Sequence, residues 1–267
     1  MSKICIIQLP TLSMSEGRID YYMRIVKDSG ASLVVLGEYV LNSFFTELLK
    51  MPKSLINEQI LHKKELFIKL AKEYNTTIIA PFITKKNKGF VKGVAKFSPN
   101  SYRYFEQNFL INYDHWNEEE FFLNDVKELN LPVFNHENFK FGVLMGFETH
   151  FDICWQYLLK KDVDVVLVPT AGTFDSNQRW EEILKTKAFT NLVYVLRANR
   201  IGKAKFDKKV CEFYGKSFAV TPNGIISSKL NEEEGILLFE LSKNELKTQR
   251  KFWKFREILA KKGFKNE

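Results

Sequence analysis

Several features are scarce or absent in this chain of 267 residues, and each shortage excludes a class of protein. The three cysteines lie far apart without a CxxC pair, so neither a disulfide framework nor a zinc site is expected. No run of about 18 apolar residues occurs, so membrane insertion is not predicted. The opening residues, MSKICIIQLP, lack the layout of a signal peptide, which predicts a cytoplasmic protein.

Linkers and repeats are also absent. No tract rich in proline, glycine or serine and no low-complexity segment interrupts the sequence. The composition, 45% hydrophobic and 27% charged, is ordinary for a folded protein with a large core. We therefore predict a single domain over residues 1–267.

The net charge of +8 is spread along the chain and interleaved with acids. The positive charge is the only feature that favours nucleic-acid binding, which is the third of the functions considered. No nucleic-acid partner is therefore expected. The concentrated basic stretch is a C-terminal tail, at about 245–267, which also carries Phe252, Trp253 and Phe255. We expect these rings to pack the tail onto the protein or onto a second subunit.

Strand-like apolar runs alternate with segments of helical spacing along most of the chain. Fully apolar strands separated by helices predict an α/β layered fold whose sheets are buried on both faces. Two hairpins are predicted as well, one at residues 91–110 around Pro-Asn-Ser and one at 215–228 around Pro-Asn-Gly.

The segment FKFGVLMGFETHFD, at 139–152, is typical of a buried strand that turns sharply into a helix. Many hydrolases present their nucleophile at such a turn, but here its apex is Gly146. Glu38 comes directly after the buried run SLVVLG and therefore lies at the carboxyl end of a predicted strand. Open α/β sheets bind their ligands at this end of their strands. Taken alone, Glu38 fits a surface or helix-capping glutamate better.

Together with RYFEQNFLINYDHWNEEEFF, these features come in the order and spacing of the nitrilase, or carbon–nitrogen hydrolase, superfamily, which the chain resembles over nearly its whole length. RWEEILKTKAFTN, RANRIG and YGKSFAVTPNGII are similar to further motifs of that family. The resemblance implies an α-β-β-α sandwich that forms four layers when two copies pack. It therefore implies a homodimer or larger assembly, with contacts through 153–161, 178–191 and the tail, and no cofactor.

Catalysis in this family, as the resemblance implies, needs a cysteine nucleophile, a glutamate that moves its proton and a lysine that stabilises the oxyanion. The resemblance carries the glutamate onto Glu38 and a second glutamate onto Glu118. It places Gln107 at the position of the lysine and Gly146 at that of the cysteine. A shift of one residue at 107 gives glutamate or asparagine, and neither supplies a cation.

The remaining cysteines and the histidines are the other candidates for chemistry. Cys154 lies eight residues past the turn, where core packing is expected, and Cys211 falls in a polar loop. The further candidates for pocket residues are listed here: His115, Phe147, Glu148 and His150. A glutamate–histidine pair can direct water in principle, but polar residues in a loop and at a helix start are the simpler interpretation. No metal site is expected, because the alternating side chains of ETHFD do not share a helix face.

The sequence therefore predicts a catalytically degenerate homologue of these hydrolases. It would act as a small-ligand-binding protein or as a protein-interaction scaffold. The alternative is an active hydrolase of non-peptide C–N bonds, in amides or N-carbamoyl amines, with an atypical nucleophile.

Overall fold

Two six-stranded sheets pack face to face in the computed structural model, which describes residues 2–206 and 209–263. The first sheet has the spatial order β16 (Gly235–Leu241), β1 (Ser2–Gln8), β2 (Leu33–Leu36), β3 (Thr77–Lys86), β4 (Gly89–Ser98), β5 (Ser101–Glu106). The second has the order β15 (Ile226–Lys229), β14 (Phe218–Val220), β11 (Tyr194–Asn199), β10 (Val165–Thr170), β9 (Phe139–Val143), β8 (Val133–His136).

Helices cover the outer faces of both sheets, which confirms the predicted α-β-β-α layering. The α-helices are α1 (Gly17–Ser29), α2 (Phe45–Leu48), α3 (Lys53–Glu73), α4 (Asp152–Lys160), α5 (Asn177–Asn191), α6 (Lys243–Trp253) and α7 (Phe255–Lys261). Two small hairpins complete the chain: β6 (Asn112–Tyr113) with β7 (Trp116–Asn117), and β12 (Ile201–Phe206) with β13 (Lys209–Tyr214).

The layers follow from the alternation of side chains along each strand. In β1, Ile4 and Ile6 face the second sheet, whereas Cys5 and Ile7 face helices α1 and α3. Both faces are therefore apolar, as a sheet buried on both sides requires. Among the described residues, no helix is both long enough and apolar enough to cross a membrane.

The parallel strands of both sheets end at one edge of the sandwich. Strands β1, β2 and β3 run parallel to one another, as do β9, β10 and β11. The backbone N–H of Glu38, just past β2, donates to the Thr170 carbonyl at the end of β10 over 3.1 Å. This approach needs the glycine at 37, where a Cβ would come 2.8 Å from the Arg200 nitrogen.

Two segments differ from the sequence-based expectation or refine it. Cys211 lies on strand β13 opposite Ala204 rather than in a polar loop. The part of the C-terminal tail that is described folds back onto the protein through α6 and α7, and Arg250 pairs with Asp164 at 2.7 Å. Residues 264–267 of the predicted tail lie outside the described residues, and the assignment of one domain to 1–267 stays a prediction.

Candidate active site

A cavity of about 890 Å³ opens at the edge where the parallel strands end. Much of its wall is aromatic, with rings from the β6–β7 hairpin, the segments after β9 and β10, and helix α5: Tyr113, Trp116, Phe147, Phe174 and Trp180. Such a cavity has the size and character of a small-molecule site.

The predicted site residues divide between this cavity and the protein immediately behind it. The residues that line the cavity are Glu38, His115, Gly146, Phe147 and His150. Those that do not are Gln107, Glu118 and Glu148, and all three are buried. Glu38 and Gly146 therefore share one cavity, whereas Gln107 is buried outside its lining.

A buried lysine that sequence reasoning missed lies between the two predicted glutamates. The Nζ of Lys92, on β4, is 2.5 Å from Glu38 Oε2 and 2.6 Å from Glu118 Oε1. The hydroxyl of Tyr39 also donates to Glu118, and the ring of Tyr39 lies 4.7 Å from the Lys92 ammonium. The pocket thus retains a cation beside its glutamate, contrary to the prediction that the cation was lost with position 107.

Lys92 reaches this position from the strand next to the one predicted. Strands β4 and β5 pair with Gly93 opposite Glu106, and the Gln107 N–H donates to the Lys92 carbonyl at 2.9 Å. Residues 92 and 107 are therefore cross-strand neighbours, whose side chains project to the same side of a sheet. A lysine inside the apolar run FVKGV was the available sequence signal, because such a side chain needs a buried partner.

Burial and the neighbouring charges shift the pKa values of this cluster in opposite directions. Burial raises the pKa of Glu38, and the neighbouring Lys92 offsets only part of that effect. Burial also acts to lower the pKa of Lys92, but Glu118 and Glu38 outweigh it and raise that pKa. Two carboxyl groups share one ammonium, so the cluster favours a proton or a hydrogen-bond donor next to Glu38.

Gly146 forms the floor of the cavity at the start of a 3-10 helix, Gly146–His150. Its N–H donates to Glu38 Oε1 at 3.2 Å. A Cβ at this position would lie 2.8 Å from the same oxygen and 3.2 Å from Thr170 Cγ2. The glutamate thus occupies part of the space that any side chain at 146 would need.

No cysteine takes the place of the missing side chain. Cys5 and Cys154 are buried in the core, and burial raises the pKa of each thiol to about 12. Cys211 lines a smaller neighbouring cavity of about 340 Å³, which shares Thr173 and Phe174 with the main cavity.

Glu148 was predicted as a pocket residue, but its carboxylate forms hydrogen bonds inside the protein instead. Its carboxylate accepts the N–H of Asn108 at 2.8 Å and the N–H of Met145 at 2.9 Å. These bonds tie the loop after β5 to the turn after β9. Burial raises the pKa of Glu148, although the hydrogen bonds from Asn108 and Met145 act in the opposite direction.

The two histidines lie on the cavity wall among rings. His115 stacks on Tyr113 with 5.6 Å between centroids, and His150 meets the edge of Trp180 at 5.4 Å. Within the described residues, no group of three or more histidine, cysteine, aspartate or glutamate side chains could hold a metal ion.

The α-β-β-α sandwich thus holds a buried glutamate–lysine–glutamate cluster beside its main cavity. The family model described as carbon-nitrogen hydrolase matches residues 10–251. The chain belongs to this family.

Comparison with individual proteins shows how distant its relatives are. The chain is similar to the N-carbamoylputrescine amidase of Oryza sativa subsp. japonica, with 24% identity over 201 residues, which cover 70% of this chain and 66% of that enzyme. The chain thus matches slightly less than two thirds of the rice enzyme's length.

Two solved structures are similar in fold. A carbon-nitrogen hydrolase from Helicobacter pylori G27 superposes with a TM-score of 0.81 at 19% identity, covering 95% of this chain and 94% of that one. A variant of the amidase from Nesterenkonia sp. AN1, in which acrylamide has added to the active site cysteine, gives 0.77 at 18% identity, covering 95% and 98%.

Proposed function

We propose that this protein binds a small ligand with an amide or carbamoyl group and does not hydrolyse it. The observation that carries the proposal is Gly146 at the floor of the cavity, with the Glu38 carboxylate against its N–H. By family resemblance this is where the nucleophile belongs, and glycine has none.

The absence of a nucleophile should abolish hydrolysis without abolishing ligand binding. Removing a nucleophile costs an enzyme roughly a millionfold in rate, whereas the groups that hold the substrate continue to bind it. Glu38 lines the cavity and can accept an amide N–H, and Lys92 fixes its orientation from behind. The rings of the wall can bury the apolar part of a ligand.

The likeness to an N-carbamoylputrescine amidase supports N-carbamoyl amines as the ligand class. The neutral probe N-butylurea carries this group on a plain alkyl chain. It therefore tests recognition of the carbamoyl end without a second charge.

N-Butylurea is expected to bind saturably in titration calorimetry, and Glu38→Gln is expected to weaken binding by about 10- to 100-fold. The reason is the loss of a charge-assisted hydrogen bond, worth roughly 1.5–3 kcal/mol. Glu58→Gln makes the same chemical change at an exposed position on α3 and should bind like wild type. Absence of saturable binding, or equal binding by the Glu38 variant, would contradict the proposal.

We also propose that two copies associate through the helices of the second sheet. Apolar side chains remain exposed there, with Ile153 at 55%, Phe252 at 73% and Ile258 at 53%. A twofold arrangement would let the same patch cover itself. Light scattering at micromolar concentration should give twice the 31.3 kDa of the chain, and a monomer mass would refute it.

A further inference from the structure

A second cavity, of about 280 Å³, lies beside helix α3, and no described residue lines both this cavity and the main one. Its wall comes from three parts of the chain: the loop after β1, the loop after β2 and the N-terminal half of α3. The lining residues with polar side chains are Thr11, Ser13, Ser43, Gln59 and Lys63. Such a lining suits a polar ligand better than an apolar one.

Lys63 is a buried cation with no carboxylate in an ion pair with it among the described residues. Its exposed fraction is 2%, and its Nζ donates to the Ser13 carbonyl. An ammonium has three N–H groups, so two of them are left without a partner in the described part of the chain. Burial lowers the pKa of Lys63, and the charge of Glu16 offsets only part of that effect. Glu16 itself pairs with Lys69 at 3.3 Å, so the Lys63 ammonium lacks a counterion.

The position of Lys63 over the cavity follows from helix geometry. Gln59 precedes it by four residues on α3, which places both side chains on one face of the helix. Helical side chains lean toward the N-terminus, so the Lys63 side chain extends over position 59. Helix α3 also holds the opposite wall, because His62 Nε2 donates to the Met14 carbonyl at 3.0 Å. The cavity is therefore built by specific hydrogen bonds between α3 and the loop after β1.

Several hydrogen-bond donors of the lining remain available for a ligand. The side chains of Ser13, Ser43 and Gln59 form no hydrogen bond with another described residue. Thr11 is already engaged, since its hydroxyl donates to a backbone carbonyl and accepts from Arg200 Nη2 at 2.9 Å. No described residue of the lining carries a carboxylate. The cavity thus offers free donors beside an unpaired positive charge.

We propose that this cavity binds a phosphate group, with Lys63 as its counterion and Ser13, Ser43 and Gln59 as hydrogen-bond donors. An uncompensated buried charge is costly, and a bound anion would remove that cost. Lysine is a common phosphate ligand in proteins. Phosphate fits better than a carboxylate, because its oxygens point in several directions and can meet donors from three parts of the chain. The site is separate from the main cavity, so this inference does not depend on the proposed function.

Inorganic phosphate at millimolar concentration is expected to raise the melting temperature of wild type by about 2 °C or more. Sodium chloride at the same ionic strength and sodium acetate should not. Titration calorimetry with inorganic phosphate and with methyl phosphate separates the two sources of the group. Tighter binding of the first would support free phosphate as the ligand, and tighter binding of the second a phosphate ester. No rise with phosphate, or an equal rise with acetate, would overturn the proposal.

Lys63→Met is expected to remove this rise and to weaken phosphate binding by about 10- to 100-fold, the loss of a charge-assisted hydrogen bond. Lys72→Met removes the same charge from an exposed position on the same helix and should respond to phosphate like wild type. A phosphate response that survives Lys63→Met would overturn the assignment of Lys63 as the counterion.

Gln59→Glu keeps Lys63 and therefore tests the proposal even if Lys63→Met does not fold. A carboxylate at position 59 lies one helical turn from Lys63 and would supply the missing counterion from within the chain. This variant should melt above wild type in phosphate-free buffer and should no longer respond to phosphate. Gln156→Glu makes the same change at an exposed position on α4 and should alter neither property. A phosphate response that persists in Gln59→Glu, or a melting temperature no higher than that of wild type without phosphate, would overturn the proposal.

Discussion

Lys92→Met is expected to lower the free energy of unfolding by roughly 3–5 kcal/mol, as for other buried ion pairs that lose one partner. The substitution leaves Glu38 and Glu118 buried beside each other with no cation between them. Urea denaturation would measure the change. Lys96→Met is the matched control on the same strand, because that ammonium meets the Ser98 hydroxyl rather than a carboxylate.

The loss in Lys92→Met should depend on pH in a defined direction. Burial already raises the pKa of Glu38, and removing Lys92 raises it further. The folded variant therefore binds a proton more tightly than the unfolded chain does, and its stability falls as the pH rises from about 4.3 through the raised pKa. The free energy of unfolding that the variant loses relative to wild type should be smaller at pH 5 than at pH 8. A larger loss at pH 5 would contradict this account.

A charge swap tests the position of the cation directly. Because residues 92 and 107 are cross-strand neighbours, Lys92→Gln with Gln107→Lys places an ammonium beside the same glutamates from the adjoining strand. The double variant should recover more than half of the stability that Lys92→Gln loses. If it is no more stable than the single variant, the two positions are not equivalent.

Gly146→Cys is expected to convert the site into one that reacts covalently. We expect this single substitution to be enough, since the Lys92 ammonium already lies beside Glu38. Glu38 Oε1 would lie within reach of the new thiol and can take its proton, although the glutamate side chain must shift to admit a Cβ that would otherwise lie 2.8 Å from it. Acrylamide should then add to the sulfur, as it has added to the active site cysteine in the variant of the Nesterenkonia sp. AN1 amidase described above.

Peptide mapping by mass spectrometry after acrylamide treatment gives the readout. We expect labelling at position 146 at least 10-fold faster than at Cys211, with Cys5 and Cys154 unlabelled in the folded protein because burial raises the pKa of both thiols to about 12. Adding Glu38→Gln should slow labelling at 146. Equal rates with and without Glu38 would show that the glutamate does not activate this position.

Most of the fold was predictable because it depends on local patterns. Alternation and apolar runs place the strands, and the two sheets follow from strands that are apolar on both faces. Glu38 and Gly146 each come shortly after a buried parallel strand, and the family resemblance, rather than this local pattern alone, singled them out. Strand β13 was not predictable, because an apolar residue, Val210, lies on its exposed side and breaks the alternation of apolar and polar residues.

The missed parts of the site depend on contacts between distant segments. The role of Lys92 becomes visible only from the pairing of β4 with β5, which shows that it lies opposite residue 107. Its ion pair with Glu118 joins two segments that are distant in the sequence. Arg197, on β11, resembles any charged residue in a sequence, and only the structure shows that it is fully buried next to Gly172, a residue of the cavity wall. A pattern in one segment contains no information about such partners.

The cavity is proposed to bind a carbamoyl ligand without turning it over. The most direct test is to measure ammonia release from N-butylurea at high protein concentration, with the protein saturated as judged by calorimetry. We expect no release above a mock purification, from wild type or from Glu38→Gln. Release by wild type that falls in Glu38→Gln and is absent from the mock would contradict the account, and would show that this site hydrolyses its ligand without a residue-146 nucleophile.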